Sequence, residues 1–224
     1  VDLSVEKGDF FGIIGKTGSG KSTIAQLLTR FYELDEKEGS IIIGGQKVKD
    51  IPLHELRHMV GIVLQEPFLY SRTIKENILS ANPEATMEEI REAAKIACVD
   101  ETIMNFPDGY NTLVGERGVT LSGGQKQRIS IARGLIKKPK ILIFDDATSA
   151  LDLATEANLY KAINESLKDM TIITIAQRVA SVKNADKIIV LDKGRIVEEG
   201  THNELTLKRG YYYNLVKNQL ELGN

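Results

Sequence analysis

One short segment near the start of the chain, residues 15–22, constrains the fold more than any other feature. Its sequence, GKTGSGKS, fills every fixed position of the phosphate-binding loop pattern G-x-x-x-x-G-K-[ST]. The apolar run at residues 10–14 predicts a buried strand before the loop, and residues 23–31 predict a helix after it. A strand, a glycine-rich loop and a helix in this order aim backbone N–H groups at one anion. The segment therefore predicts an α/β protein that binds a phosphorylated ligand.

The residue types in this loop each have a chemical use. Glycines let the backbone curl around a phosphate, and the helix that follows adds its positive N-terminal end. Lys21 can reach the β- and γ-phosphates of a nucleotide, and the Ser22 hydroxyl can ligate Mg²⁺. A glycine-rich turn without a ligand is the alternative, and the complete pattern with its flanks disfavours it. The candidate nucleotide-binding residues are Gly15, Lys16, Thr17, Gly18, Ser19, Gly20, Lys21, Ser22 and Thr23.

Composition excludes some classes of function. The net charge of −2 over 224 residues argues against nucleic-acid binding through a basic surface. A single cysteine, Cys98, excludes a disulfide within the chain. No apolar run approaches the roughly 20 residues that span a bilayer, and no signal peptide is visible, so we expect a cytoplasmic domain. The abrupt start at Val1 suggests a domain excised from a longer protein.

The pattern along the chain changes twice. Residues up to 64 predict strands around one helix, with a hairpin at Gly44-Gly45, and residues 65–137 are mostly helical. Strands and helices alternate again from residue 138, which predicts a parallel sheet, followed by a hairpin turn at Lys193-Gly194 and a terminal helix at 210–222. The expected organisation is a core (1–64 and 138–224) with an inserted helical subdomain (65–137).

Two further segments carry chemistry. Asp145 ends the apolar run 141–144, the place where a magnesium-binding carboxylate accompanies a phosphate loop. Residues 121–125, Leu-Ser-Gly-Gly-Gln, open a helix and so create a second phosphate-seeking helix N-terminus. Together with the phosphate loop, this segment resembles the signature of the nucleotide-binding domain of ABC transporters, and the resemblance extends over nearly the whole chain.

The resemblance implies a single ATPase domain over 1–224. Its expected fold is a RecA-like P-loop NTPase core with a small antiparallel β subdomain and an inserted α-helical subdomain. ATP and Mg²⁺ are the implied cofactors, and two such domains pair head to tail at the cytoplasmic face of the membrane beneath transmembrane domains. In that pair, Ser122, Gly123, Gly124 and Gln125 contact the γ-phosphate held by the partner's phosphate loop.

Other positions match the family's motifs. Gln65 matches the Q-loop glutamine, which touches the magnesium shell and couples to the membrane domain. Asp152 belongs to the D-loop, which crosses the dimer interface. Residues 114–118 resemble the X-loop of exporters, which favours an exporter over an importer. The metal-site candidates are therefore Ser22, Gln65 and Asp145.

Two positions depart from the family at the reaction centre. Asp146 stands where the family has a catalytic Glu, and Gln177 stands where it has the switch-loop His. Asp is one methylene shorter, and Gln can neither carry a positive charge nor exchange protons as imidazole does. For each change taken alone, the alternative is a neutral substitution without functional consequence. Both changes, however, fall on the same reaction centre. Asp146, Gln177 and Gln65 are the catalytic candidates.

These departures suggest the degenerate-site half of a heterodimeric exporter, paired with a non-identical chain. Two alternatives remain: a regulatory subunit that binds ATP with negligible turnover, and a soluble ABC protein without a transport role. The family's adenine-stacking aromatic lies well upstream of the phosphate loop, so we expect it, the first strands and the membrane domain to be missing here.

Overall fold

The computed structural model describes residues 1–35, 37–115 and 121–221. These residues form two compact units. The first comprises Val1–Ile62, Lys140–Asp146 and the chain from Met170 onward, and the second comprises Val63–Pro139 and Ala147–Asp169. The second unit thus holds the predicted helical segment together with a later helix. The expected boundaries of the core and the subdomain stay a prediction.

A six-stranded sheet carries the first unit. Numbered in chain order, its strands are β1 (Phe10–Gly15), β4 (Val60–Leu64), β5 (Ile141–Asp145), β6 (Thr171–Ala176), β7 (Lys187–Asp192) and β8 (Arg195–Gly200). Their order in the sheet is β4-β5-β6-β1-β7-β8. β1 pairs in parallel with both β6 and β7, β5 pairs in parallel with β6, and β8 closes the edge in antiparallel pairing with β7. The predicted α/β class is confirmed.

The central strands are buried because their sequences are continuously apolar. Every residue of β1 and of β6 is buried, as expected of parallel strands covered on both faces. Helices α1 (Lys21–Leu28) and α2 (Leu53–Met59) supply Ala25 and Leu56 to the hydrophobic cluster that contains Phe11, Ile143 and Ile173. This cluster packs around β1, and the phosphate loop follows the carboxyl end of that strand.

Two hairpins were predicted, and both are present. Strands β2 (Ile42–Ile43) and β3 (Gln46–Lys47) pair in antiparallel fashion around Gly44 and Gly45, whose φ angles are 58° and 82°. The turn between β7 and β8 uses Lys193 and Gly194, both at positive φ (46° and 75°), as two-residue hairpin turns require. The β2–β3 pair is a separate two-stranded sheet.

Five helices form most of the second unit: α3 (Ile74–Leu79), α4 (Met87–Ile96), α5 (Asp100–Met104), α6 (Gly123–Leu135) and α7 (Leu153–Ser166). Capping boxes begin two of these helices, formed by Thr73 with Glu76 at α3 and by Thr86 with Glu89 at α4. Within the described residues, no helix has the length and apolarity needed to cross a membrane.

Several short helices were not predicted. α2 and α5 have 7 and 5 residues, and α8 (His202–Lys208) has 7. Segments of one or two turns give too few positions for a helical period to stand out. The final helix α9 (Tyr211–Glu221) lies within the predicted 210–222.

Candidate functional site

The phosphate loop joins β1 to α1 in the predicted arrangement. Gly18 and Gly20 adopt φ angles of 79° and 100°, a left-handed backbone conformation that favours glycine. A side chain on Gly15 would stand 2.2 Å from the carbonyl oxygen of Leu191, so only glycine fits there. The N–H of Gly194 in the β7–β8 turn donates to the Ser19 carbonyl oxygen at 2.9 Å. The loop is thus held open by its own glycines and by a neighbouring turn.

Lys21 is buried inside this loop rather than extended into solvent. Its ammonium donates to the carbonyl oxygens of Gly15 and Lys16, both at 2.8 Å, and the residue is 7% exposed. Burial lowers the pKa of the ammonium, while the carboxylates of Asp146 and Asp145 act in the opposite direction. Lys21 therefore brings a positive charge to the middle of the cradle and braces the loop.

The predicted metal-binding pair is in direct contact. The Ser22 hydroxyl donates to Oδ1 of Asp145 at 3.0 Å, although 123 residues separate the two in sequence. Burial raises the pKa of the Asp145 carboxyl, the Ser22 hydrogen bond acts against this rise, and the neighbouring Asp146 adds to it. A hydroxyl and a carboxylate at this distance can supply two oxygens of the octahedral shell that Mg²⁺ prefers.

The two residues that depart from the family pattern contact each other. The Gln177 amide donates to Oδ2 of Asp146 at 3.3 Å, and its Oε1 lies 3.5 Å from the hydroxyl of Thr17. Asp146 has a φ of 51°, and its N–H donates to the carbonyl oxygen of Ile175 at 2.7 Å. Residues other than glycine with a positive φ are uncommon, and they concentrate at functional sites. The site of the first unit thus unites the loop with Asp145, Asp146 and Gln177.

This arrangement fits a triphosphate with magnesium. The hydroxyl of Ser19 is buried, yet it has no hydrogen-bond partner among the described residues. The first N–H groups of α1 have no capping side chain, since the residue before the helix is Gly20. Lys16, Thr17, Ser22 and Thr23 are exposed around them. Unsatisfied donors beside an exposed hydroxyl and a half-buried carboxylate suit a magnesium-bound phosphate chain.

A cavity of about 640 Å³ lies elsewhere in the first unit. It is lined by residues such as Leu27, Tyr32 and Ile41, and none of its lining residues belongs to the phosphate loop.

In the second unit, the buried side chain of Gln127 joins the segment that contains Gln65 to the segment just before Asp152. Gln65 follows β4 and is exposed, and its carbonyl oxygen accepts a hydrogen bond from Nε2 of Gln127 at 3.2 Å. Oε1 of Gln127 accepts from the N–H of Ala150 at 3.1 Å, and Gln127 is 2% exposed. Gln127 was not among the residues predicted from the sequence. The available signal is a polar residue on the helical face shared with Ile131 and Leu135.

The signature segment begins helix α6 with a capping box. The Ser122 hydroxyl accepts from the N–H of Gln125 at 3.2 Å, and Oε1 of Gln125 accepts from the N–H of Ser122 at 2.9 Å. A side chain on Gly124 would stand 3.3 Å from the Ala150 carbonyl oxygen, so glycine permits a close approach. Ser122 and Gly123 are exposed, so the segment is available to another molecule.

Asp152 has a structural use in this chain. Its carboxylate accepts from the N–H and the hydroxyl of Thr155, at 2.9 and 2.7 Å, and so begins α7. These bonds lower the pKa of Asp152. Glu116, Arg117 and Gly118 of the predicted X-loop lie outside the described residues.

The comparison with known protein families decides the affiliation of this chain. A family profile described as ABC transporter matches residues 1–149. The chain belongs to the ABC transporter family. It is 50% identical over 215 residues to a protein of Staphylococcus aureus strain NCTC 8325 described as a multidrug export ATP-binding/permease protein. The corresponding protein of the bovine strain RF122 is 49% identical.

A solved structure shares the fold of this ABC chain. The structure of a bacterial Atm1-family ABC exporter with ATP bound superposes with a TM-score of 0.91 at 43% identity. The match covers 96% of this chain and 37% of the exporter chain, and the S. aureus proteins show the same two shares. The chain therefore has the α/β P-loop ABC ATPase fold and spans little more than a third of the relatives it matches.

Proposed function

We propose that this chain is the ATP-binding and ATP-hydrolysing motor domain of an exporter, acting at the cytoplasmic face of the cell membrane. The contact between Ser22 and Asp145 beside the phosphate loop carries the proposal, because a hydroxyl and a carboxylate in contact there are oxygen groups of the kind that hold magnesium. The likeness to proteins described as export ATP-binding/permease proteins supports the assignment to export.

The residues of the first unit have separate tasks in this proposal. The loop N–H groups and Lys21 bind the phosphates, with Ser19, Thr17 and Thr23 as further contacts. Ser22 and Asp145 would hold Mg²⁺, which when bound neutralises charge on the β- and γ-phosphates. Lys21 already faces the loop carbonyls, so binding a nucleotide would replace two of its neutral partners by anionic oxygens.

The residues of the second unit act in a head-to-tail pair. We assign Gln65 to the magnesium shell and to coupling with the transmembrane domains, and Asp152 to the dimer interface. Ser122 to Gln125 serve the ATP held by a second, non-identical ABC domain. Their exposed helix N-terminus is suited to a phosphate because its capping box leaves some of its N–H groups available.

The site of this chain itself is slow in our proposal. The group that would activate water is the Asp146 carboxylate, which reaches less far than a glutamate would. It also accepts a hydrogen bond from the Gln177 amide. A base must come within about 2.6–3.2 Å of the water it deprotonates, and positioning dominates phosphoryl transfer. The same observation favours a second candidate function, a regulatory subunit that binds ATP with negligible turnover.

The test is to restore both residues and measure hydrolysis with the second ABC domain present. We expect Asp146→Glu with Gln177→His to raise ATP hydrolysis by about tenfold or more, since a well-placed general base contributes at least that much. Asp35→Glu, an exposed change of the same kind, is the matched control. An unchanged rate after restoration, combined with loss of all activity in Asp146→Ala, would refute the slow site. Absence of Mg·ATP binding in the unaltered chain would refute the motor function itself.

A further inference from the structure

The last helix, α9, binds the backbone of residues 177–179, called the switch segment here, through one side chain. Nε2 of Gln219 donates to the carbonyl oxygen of Gln177 at 2.8 Å, and Oε1 of Gln219 accepts from the N–H of Val179 at 2.8 Å. A carbonyl can only accept and a backbone N–H can only donate, so the orientation of the amide is fixed by its partners. One side chain thus grips the main chain on both sides of Arg178.

These two hydrogen bonds of Gln219, called the clamp here, hold the backbone from which the Gln177 side chain extends. β6 ends at Ala176 within the buried sheet, so the backbone before Gln177 is already held. Gln219 holds it from the other side, and between these two anchors Gln177 reaches Asp146 and Thr17. A shift of the clamp would move the switch amide relative to the carboxylate and the phosphate loop.

Helix α9 is itself anchored, so Gln219 stands on a rigid arm. Glu198 of β8 accepts hydrogen bonds from the N–H groups of Tyr211 and Tyr212 at 2.7 and 2.8 Å. The ring of Tyr212 is fully buried, and its hydroxyl lies 2.9 Å from Nδ1 of His202. Gln219 lies about 12 Å along the helix from this anchor, at 1.5 Å per residue.

The same helix also contacts the phosphate loop. The ammonium of Lys16 lies 5.8 Å from the centroid of the Tyr211 ring, within the range of a cation–π contact. One end of α9 therefore lies against the loop that binds phosphate, and the other end holds the segment that carries Gln177.

We infer that Gln219 is a positioning residue for ATP hydrolysis, acting through Gln177. The inference deepens the proposed function and rests on it: α9 sets the distance between the switch amide and the γ-phosphate site. Loss of the clamp lowers the rate of the chemical step and leaves ATP binding almost unchanged, because both hydrogen bonds of the Gln219 amide go to the backbone of residues 177 and 179 and not to the phosphate loop.

The experiment compares Gln219→Ala and Gln219→Glu with Asn218→Ala, the exposed neighbour on the same helix. Gln219→Glu keeps the acceptor for Val179 but loses the donor for Gln177. Hydrolysis of Mg·ATP at the site of this chain is measured over a range of ATP concentrations, with a second ABC domain whose own phosphate loop is inactivated by mutation. Hydrogen exchange at the Val179 N–H is measured on the chain alone. Each variant is also made in the Gln177→Ala background.

We expect about tenfold slower hydrolysis in both Gln219 variants with the ATP KM within about twofold, since small misplacements at a reacting centre have effects of this size. Exchange at Val179 should be about fivefold faster in Gln219→Ala. In the Gln177→Ala background, loss of Gln219 should change the rate less than about twofold.

An equal loss of rate in both backgrounds would overturn the inference, because Gln219 would then act on general stability. An unchanged rate or unchanged Val179 exchange would overturn it as well. If the unaltered chain binds no Mg·ATP, the proposed function fails, whereas normal binding with insensitivity to Gln219 refutes only the positioning role.

Discussion

At the scale of single residues, two aspartates show how environment gives one side chain opposite properties. Asp145 lies in the phosphate site, where burial raises the pKa of its carboxyl. Asp100 lies among donors, where the Arg91 guanidinium lowers the pKa of its carboxyl. The buried charge of the first carboxylate therefore costs stability, whereas the second carboxylate stabilises the fold.

The first prediction concerns Asp145→Asn. The folded chain holds the Asp145 proton more tightly than the unfolded chain, so the charged carboxylate lowers the free energy of unfolding above the ordinary pKa. We therefore expect the nucleotide-free variant to unfold at a higher temperature at pH 7, with the difference shrinking as the pH falls through the raised pKa towards the ordinary one. Magnesium-dependent ATP affinity should fall by about tenfold or more, since a charged metal ligand is lost.

Thermal unfolding at several pH values and ATP titrations with and without Mg²⁺ measure these two effects. Asp50→Asn, which alters an exposed carboxylate in the same unit, is the control. A lower unfolding temperature together with unchanged magnesium dependence would contradict the assignment of Asp145 as a ligand kept at the cost of stability.

At the scale of elements, a buried cluster joins three pieces of the second unit. Asp100 at the start of α5 accepts from Nε and Nη2 of Arg91 on α4, at 3.1 and 3.0 Å. The hydroxyl of Tyr110 donates to Oδ1 of Asp100 at 2.7 Å. Burial, followed by this hydrogen bond, raises the pKa of Tyr110. α5 has only 5 residues, so its position depends on this cluster more than on its own helical hydrogen bonds.

We expect Asp100→Asn to lower the free energy of unfolding by about 2 kcal/mol at pH 7, because it weakens a bidentate pair that is buried on one side. The pKa of Asp100 is lowered in the folded chain, so its stabilisation is present above the ordinary pKa. It is lost as the pH falls through the lowered value. Urea unfolding at pH 7 and near pH 3 measures the effect. Glu101→Gln, on the exposed face of α5, should change little, and an equal effect of both variants would contradict the argument.

At the scale of the whole molecule, stability should be distributed unevenly over the sheets. β1 is buried along its full length and is paired on both sides. The β2–β3 pair has two residues in each strand, and Ile42 is 60% exposed. The hydrogen bonds of β1 should open only when the whole chain unfolds, whereas those of the β2–β3 pair should open by local unfolding.

We therefore expect amide hydrogens of β1 and β6 to exchange at least about 100-fold more slowly than those of β2 and β3. Native-state hydrogen exchange followed by NMR or mass spectrometry measures the ratio. Equal protection of the small hairpin would show that it unfolds only together with the large sheet, contrary to this account.

The local parts of the fold and site were predictable from sequence. The phosphate loop, the hairpin at Gly44-Gly45 and the capping box at Thr86 each depend on residues within a few positions of one another. The sequence also predicted Asp145, Asp146 and Gln177 as site residues, through their places after apolar strands and in family motifs. Short helices such as α2 were missed because they contain too few residues to show a period.

Sequence by itself determined that strands and helices alternate and predicted which residues bind phosphate, because both follow from residue type and local spacing. Only the tertiary structure decided which distant groups meet. Parallel pairing of β1, β6 and β5 brings Ser22 to Asp145 and Gln177 to Asp146, across 123 and 31 residues. The clamp of Gln219 on Gln177 and the opposite pKa shifts of Asp145 and Asp100 arise in the same way. Burial and long-range contacts are properties of the packed chain, and no local pattern records them.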